Sequence, residues 1–414
     1  MNRRTLIALL LLGGVFIMEG FDIAAMSLAV PRLEGALGLD PASFGWVFTA
    51  LLVGLGVGGA FLAPYGDRFG RRTLIVAGCL ATGLCTLGTA SATDVTGFLI
   101  WRGLTGLALG AALPNVSALS AELAPPRLRA TVMAVVSAGI PVGLALAGLF
   151  APEIIAALGW QGMFIVPGVF AAILALLLFL ALERGTVGPH HAEPVDSAEM
   201  APRANAGNAT GLLGKFPQLR LFQRPWVFPF AVFASMLAFN ACNLYLLNSW
   251  LPTVLPLSGL SLDDAARVAG VANLAGLGIG LLASLLLDRW HKGLTLMLMF
   301  GTMAASFMAI WLTAPDAARW TLLLMVGVGG ANAGGMVLPG LAAYLFPARL
   351  LSSAVGLGVL VARLGAFAGP PLGQVMLQNE VAPQDFLGVA AIPALACVII
   401  ALLVPAALRR SQWD

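Results

Sequence analysis

The sequence predicts an all-α membrane protein of twelve transmembrane helices in two six-helix halves, with both termini in the cytoplasm. Three observations predict this fold: the composition, a series of apolar segments of similar length, and a repeat within the chain. Of the 414 residues, 59% are hydrophobic and only 10% are charged, whereas soluble proteins carry about 25% charged residues. Mean hydropathy is +0.94. So few charges cannot cover a water-facing surface, and the 49 glycines suit close helix packing in a bilayer.

Twelve segments are long and apolar enough to cross a bilayer, which takes about 20 residues. The first is a spanning helix rather than a secretory signal, because its apolar run continues to Val30 and carries Glu19 and Asp22. The predicted spans are 5–30, 44–64, 73–91, 95–121, 130–151, 161–182, 226–251, 264–287, 293–314, 318–343, 352–377 and 387–408.

One connection between spans is long and polar, and it divides the chain. It contains the pair His190-His191 within a stretch rich in proline, asparagine and acidic residues, which is typical of a flexible linker rather than a metal site. We therefore predict an N-terminal half at 1–183, a cytoplasmic linker at 184–225 and a C-terminal half at 226–414.

The distribution of Lys and Arg predicts the orientation. With the N-terminus inside, the cytoplasmic segments hold 17 of the 22 Lys and Arg residues and the opposite loops hold 2. Cytoplasmic loops of membrane proteins carry such an excess. The three remaining cations, Arg102, Arg267 and Arg363, fall within predicted spans.

Two pairs of landmarks recur at nearly the same separation. Asp67 and Asp288, in the loops after spans 2 and 8, are 221 residues apart, and Arg127 and Arg349, in the loops after spans 4 and 10, are 222 apart. Both halves begin on the same side, so the sequence predicts a duplicated, parallel six-helix unit.

The loop from Gly66 to Arg72 reads Gly-Asp-Arg-Phe-Gly-Arg-Arg and resembles the signature loop of the major facilitator superfamily. Arg102-x-x-x-Gly106-x-x-x-Gly110 resembles the fourth-helix motif of that superfamily. The resemblance implies its fold, transport by alternating access, and a cytoplasmic latch that breaks and re-forms. The excess of basic residues in cytoplasmic loops would by itself explain the arginines of this loop, but not its spaced glycines. The expected latch residues are Gly66, Asp67, Arg68, Gly70, Arg71, Arg72, Glu122, Arg127, Arg129, Asp288 and Arg289.

Four further stretches resemble the aromatic-acid:proton symporters, especially the branch that carries hydroxyphenylpropionate and hydroxybenzoate. They are Met18–Asp22 in span 1, Gly110–Asn115 in span 4, Tyr245–Pro252 in span 7 and Arg363–Pro370 in span 11. Departures from that family's pattern, such as Ser249 directly before the span 7 tryptophan, leave the exact substrate open.

Glu19, Asp22, Arg102 and Arg363 lie well inside predicted spans, where a charge costs about 2.5–3.5 kcal/mol by insertion scales. Rise per residue places Asp22 about 12 Å and Arg102 about 10 Å below the outer surface, so an ion pair between them is expected. Glu19 is a neighbour of Asp22 on one helix face. We expect Asp22 to carry the proton, Glu19 to assist and Arg102 to act as the switch; a static structural ion pair is the alternative.

Arg363 lies roughly 16 Å into span 11, near the membrane midplane, with no matching acid in the spans of its own half. A guanidinium binds a carboxylate through two parallel hydrogen bonds, so we expect Arg363 to hold the carboxylate of a substrate. The alternatives are pairing with helix-end carbonyls or with Glu19. Phe367 and Gln374 follow on the same helix face.

Further candidate substrate contacts are Asn240, Asn243 and Tyr245 in span 7 and Phe21 in span 1. The two amides could bind a phenolic hydroxyl or join helices. Each aromatic ring could stack on a substrate ring or serve only in packing.

Together these features predict proton-coupled uptake of a small organic acid, an aromatic carboxylate by resemblance, across a bacterial plasma membrane. The rivals are a proton-antiporting efflux pump of the same fold and a symporter of non-aromatic carboxylates. No nucleophile–base set, metal cluster or phosphate loop predicts an enzyme, and no cofactor, metal or nucleic acid is expected. The expected partners are the acid, protons and lipid, and the expected state is a monomer.

Overall fold

The computed structural model describes residues 3–125, 129–182 and 221–411, and these residues form helices joined by short loops. Twelve helices within them are long and apolar enough to span a membrane, which confirms the predicted number. Most of the predicted linker 184–225 and Arg127 lie outside the described residues. The helices are α1 Arg3–Leu37, α2 Pro41–Leu62, α3 Arg71–Thr89, α4 Val95–Leu123, α5 Gly139–Leu158, α6 Gly162–Ala181, α7 Val227–Leu257, α8 Leu262–Arg289, α9 Lys292–Leu312, α10 Ala317–Leu345, α11 Ala348–Gln378 and α12 Pro383–Ala401.

Several helix ends differ from the predicted ends where proline lies inside a helix. Helix α1 continues through Pro31 to Leu37 and α7 through Pro252 to Leu257, whereas the sequence suggested ends near Val30 and Leu251. Proline removes one backbone hydrogen bond, but neighbouring helices can offset that loss in a membrane protein. Helix α12 is interrupted at Ala390, and a separate short helix follows it at Val404–Ser411.

The same pattern of helix pairing occurs in both sets of six helices. In the first set α1 packs on α5, α2 on α4 and α3 on α6. In the second set α7 packs on α11, α8 on α10 and α9 on α12. The equivalent pairs agree with the predicted parallel repeat.

Glycines allow α2 and α4 to approach closely. A side chain at Gly54 or Gly58 would collide with the α4 backbone, and one at Gly106 or Gly110 would collide with the α2 backbone. The spacing of four residues places two glycines on one face of each helix. Close backbone packing therefore explains the glycines of the Arg102-x-x-x-Gly106-x-x-x-Gly110 motif.

The first and second sets of helices are in contact at the end that we predict to be the outer side. Helix α5 packs on α8, where a Cβ atom added at Gly148 would lie 2.6 Å from the Cα atom of Gly270. At the same end of the molecule two ion pairs connect the first set of helices to the second: Arg32 with Asp263 at 2.7 Å and Arg267 with Glu153 at 3.1 Å. The outer end is therefore closed, mainly by packing, because exposed ion pairs contribute only about 0.2–1 kcal/mol each.

We expect the Gly148→Val variant to favour a conformation in which this outer end is open. Overpacking costs about 1–3 kcal/mol, which corresponds to a population shift of roughly 5- to 150-fold. Electron–electron distance measurements between spin labels at Leu158 and Leu257, near the outer ends of α5 and α7, will detect the opening. Gly301→Val is the matched control, since nothing lies within 4 Å of a Cβ atom added there. An unchanged distance distribution in Gly148→Val would contradict this assignment of the closure.

Candidate functional site

A buried ion pair joins α1 and α4. Nη1 of Arg102 lies 2.9 Å from both carboxylate oxygens of Asp22, and Nη2 donates to the backbone oxygen of the same residue at 3.0 Å. Both side chains are only 1% exposed. The ion pair expected from matching depth is therefore present. Its role in proton coupling stays a prediction.

Thr86 of α3 also holds this carboxylate, and the sequence did not identify it. Its hydroxyl donates to Oδ1 of Asp22 at 3.0 Å. Other threonines in these spans, such as Thr89 and Thr105, donate instead to a carbonyl of their own helix. Because both patterns arise from isolated threonines in apolar sequence, no sequence signal separates Thr86 from the rest.

A cavity of about 560 Å³ lies between the two sets of helices, in the half of the bundle nearer the predicted cytoplasmic side. Its polar lining comes from Glu19 of α1, Ser117 of α4 and Arg363 of α11. Binding sites for small molecules commonly measure about 300–1,000 Å³ and are mostly apolar, so this cavity can hold a molecule with one aromatic ring. The apolar lining consists of Phe16, Leu55, Gly56, Gly59, Ala60, Gly110, Leu113, Pro114, Ile140, Gly356, Val359 and Leu360.

Arg363 and Glu19 face this cavity from opposite sets of helices. The guanidinium of Arg363 interacts electrostatically with Glu19 and lies beside the hydroxyl of Tyr245. Within the described parts of the chain, however, no carboxylate approaches Arg363 to ion-pair distance. Glu19 is 6% exposed, and its Oε2 atom has no hydrogen-bond partner. The cavity thus presents a cation and a carboxylate that are both available to a ligand or a proton.

The other predicted contacts on α1 and α11 are not themselves part of this lining, although the Phe367 ring would lie 3.8 Å from a Cβ atom added at Gly56, a lining residue. Phe21 packs against the main apolar core. Phe367 packs beside Leu52 of α2, where the two sets of helices meet. Gln374 lies at the outer closure, close to Gly45. A Cβ atom added at Gly45 would be 2.6 Å from the Cβ atom of Gln374. In this conformation the structure brings Glu19, Arg363 and Tyr245 together but not these three side chains.

The two asparagines of α7 join helices within the second set. Asn240 donates to the carbonyl of Ala331 in α10 at 3.1 Å, and Asn243 donates to the carbonyl of Ala390 at 2.9 Å. Both side chains are buried. The second bond satisfies the carbonyl at the interruption of α12. In this conformation the two amides join helices, which is one of their two predicted roles. Substrate binding by these amides stays a prediction.

Contacts of the predicted latch stay within one set of helices. Arg71 pairs with Glu122 of α4 and lies 3.6 Å from Asp67, while Arg72 donates to the carbonyl of Phe179. Gly70 has a φ of 89°, which favours glycine.

Contacts of the remaining predicted latch residues also stay within one set of helices. Tyr344 of α10 donates to Asp288 of α8 at 2.6 Å, and Arg289 is exposed. Gly66 packs against Asn115, Arg68 lies over the Phe69 ring, and Arg129 begins a short helix. At this end no ion pair among the described residues connects the first set to the second. The molecule is therefore closed at the predicted outer end, with its cavity at the other.

Residues 11–370 match the sequence profile of the Major Facilitator Superfamily. The chain belongs to this superfamily. The 3-(3-hydroxy-phenyl)propionate transporter of Escherichia coli (strain K12) is 33% identical to it over 370 residues, which cover 88% of this chain and 85% of the relative. The 4-hydroxybenzoate transporter PcaK of Pseudomonas aeruginosa is 30% identical over 386 residues, which cover 88% and 84%. The resemblance to the hydroxyphenylpropionate and hydroxybenzoate branch is confirmed.

Solved structures of superfamily members share the fold. A bacterial homolog of the human lysosomal transporter Spinster, in an inward-facing and unoccupied conformation, has a TM-score of 0.76, with 16% identity and coverage of 100% of this chain and 99% of that one. A D-xylose-proton symporter has a TM-score of 0.75, with 19% identity and coverage of 99% and 98%. The predicted twelve-helix fold is thus confirmed, and the protein is a multi-pass membrane transporter; the cytoplasmic location of both termini stays a prediction.

Proposed function

We propose that this transporter takes up a small aromatic carboxylate together with protons across the bacterial plasma membrane, by alternating access. One observation carries the proposal: a cation, Arg363, and a carboxylate, Glu19, face the same cavity from opposite sets of helices. The curated relatives support the substrate class, since they are transporters of 3-(3-hydroxyphenyl)propionate and 4-hydroxybenzoate.

The electrostatics of this cavity favour simultaneous binding of an anion and a proton. Glu19 in its charged form attracts Arg363 and repels a substrate carboxylate in the same space. Protonation of Glu19 removes both effects and leaves the Arg363 guanidinium free to bind the substrate through two hydrogen bonds. The proton and the anion thus each strengthen the binding of the other, because linkage between two sites is reciprocal.

The buried pair of Asp22 and Arg102 supplies the second protonation step in this proposal. Protonation of Asp22 releases Arg102 from a charged partner, which favours a rearrangement of α1 against α4. Because an ionisable residue within a membrane is costly unless it is paired, Arg102 takes a different partner in this proposal once Asp22 is protonated. The superfamily's alternation between outward and inward access then follows proton binding.

The cavity favours uptake of an anion over efflux of a cation once Glu19 is protonated, since Arg363, the one cationic group among the described residues of its lining, then attracts an anion and repels a cation. We propose that the acid is carried unchanged, without enzymatic conversion or a cofactor, and that one copy of the chain in the bilayer suffices. The predicted cytoplasmic location of both termini places the cavity on the cytoplasmic side in the present conformation.

Uptake measurements in proteoliposomes will test this function. We expect labelled 3-(3-hydroxyphenyl)propionate or a hydroxybenzoate to accumulate only with an inward proton gradient, and an aliphatic acid of equal charge to accumulate poorly. Protein-free liposomes measure passive entry. Equal accumulation of aliphatic acids would reject the aromatic substrate class, and gradient-driven expulsion of a hydrophobic cation would replace uptake with efflux.

A further inference from the structure

A small cavity lies beside the buried ion pair, between Arg102 and the outer half of α7. Its volume is about 20 Å³. Four polar residues line it, namely Arg102 of α4 and Tyr245, Asn248 and Ser249 of α7, and apolar side chains of α1 and α2 complete the lining. The cavity therefore lies between the first and second sets of helices, next to the proposed proton site.

Three of the polar side chains around this cavity have groups without a protein partner. Nε of Arg102 is buried without a hydrogen bond, although the side chain is only 1% exposed. Within the described ranges of the chain, neither the amide of Asn248 nor the hydroxyl of Ser249 has a hydrogen bond to the protein. Buried polar groups without partners cost about 1–3 kcal/mol each, and proteins usually satisfy them with a side chain or an ordered water.

The volume determines what can satisfy these groups. A cavity needs about 10–15 Å³ to hold one water, and a buried water typically makes about three hydrogen bonds. The space beside Arg102 exceeds that volume but is far smaller than any organic acid. One water molecule fits, and it can accept a hydrogen bond from Nε of Arg102 while it donates to oxygen atoms of α7.

We propose that this cavity holds one ordered water that connects Arg102 to α7, and that Asn248 is the positioning residue that holds it. The inference rests on the proposed function, because the water links the ion pair in the first set of helices to the second set. Tyr245, on the same cavity, also lies beside Arg363. When protonation of Asp22 releases Arg102, the water transmits that change to α7 and the substrate site.

Two substitutions of Asn248 distinguish a role in holding the water from a role in helix packing. Asn248→Leu keeps a similar volume and removes the polar group, whereas Asn248→Ser is smaller and polar and leaves room for a second water. Each variant is assayed for exchange of labelled 3-(3-hydroxyphenyl)propionate without a gradient and for accumulation under an inward proton gradient. Exchange needs a working substrate site but no net proton movement. Asn379→Leu, on the exposed end of α11, is the control for expression and insertion.

We expect Asn248→Leu to retain exchange and to lose gradient-driven accumulation by about tenfold or more, as the loss of a buried hydrogen-bond partner implies. Asn248→Ser should retain both activities. Normal accumulation in Asn248→Leu would overturn the proposal, and so would equal loss of accumulation in both variants, because either result removes the dependence on a polar, hydrated site.

An experimental density map that resolves ordered waters tests the same site without any transport assay. Density in the cavity at hydrogen-bond distance from Nε of Arg102 is expected, and an empty cavity would overturn the proposal. Absence of exchange of any aromatic acid by the unmodified protein would reject the proposed function instead. The density map distinguishes failure of this proposal from failure of the proposed function, because the water site depends only on Arg102 and α7 and not on transport.

Discussion

The Arg363→Gln variant should bind an aromatic carboxylate at least about 30-fold more weakly than the unmodified protein, because loss of one partner from a buried, hydrogen-bonded charge pair costs about 2–5 kcal/mol. Glutamine keeps most of the side-chain length but cannot supply a positive charge. The fall in affinity should appear in direct binding measurements, for example with labelled 3-(3-hydroxyphenyl)propionate in detergent.

The chemistry of the substrate provides a second test of the same residue. The unmodified protein should prefer the acid strongly over its uncharged amide, and Arg363→Gln should lose that preference. Arg409→Gln is the matched control, since Arg409 is exposed in the short helix Val404–Ser411. An undiminished preference for the acid in Arg363→Gln would show that another group binds the carboxylate.

The Asp22→Asn variant should lose proton-driven accumulation completely. Arg102 would then be a buried cation without its carboxylate partner, and breaking a buried pair on one side costs about 3–5 kcal/mol. A fall in thermal stability should therefore accompany the loss of transport. Accumulation under an inward proton gradient, measured together with thermal unfolding, checks both effects.

A double variant separates the two consequences. In Asp22→Asn with Arg102→Gln the buried charge is gone, so thermal stability should recover substantially while accumulation remains absent. If the double variant recovered both, the pair would be a static structural element, which was the alternative considered from the sequence. Normal accumulation in Asp22→Asn alone would exclude Asp22 as a proton carrier.

Much of this architecture follows from the sequence because membrane helices obey simple rules of length and charge. The number of spans comes from apolar length, and the pairing of Asp22 with Arg102 comes from their similar depth. An unpaired charge within the membrane is unfavourable, so matching depth on two helices was enough to predict this pair.

The sequence does not predict how each helix is oriented about its own axis. A helix that is apolar on every side gives no periodic signal for which face meets lipid, cavity or another helix. Asn240 and Tyr245 were therefore equivalent candidates, although one bonds to α10 and the other lies at Arg363. Thr86 was missed for the same reason. The conformation itself depends on packing between distant segments, such as Gly148 against Gly270, which no local pattern reveals.

The most direct test of coupled uptake is the proton flux that substrate movement drives. Proteoliposomes with a pH-sensitive dye inside, and no initial pH gradient, receive external 3-(3-hydroxyphenyl)propionate, with protein-free liposomes to measure passive entry of the acid. We predict that the lumen acidifies faster with the protein present, and that Asp22→Asn abolishes this difference. Substrate entry without acidification, or a lumen that becomes alkaline, would contradict proton-coupled uptake.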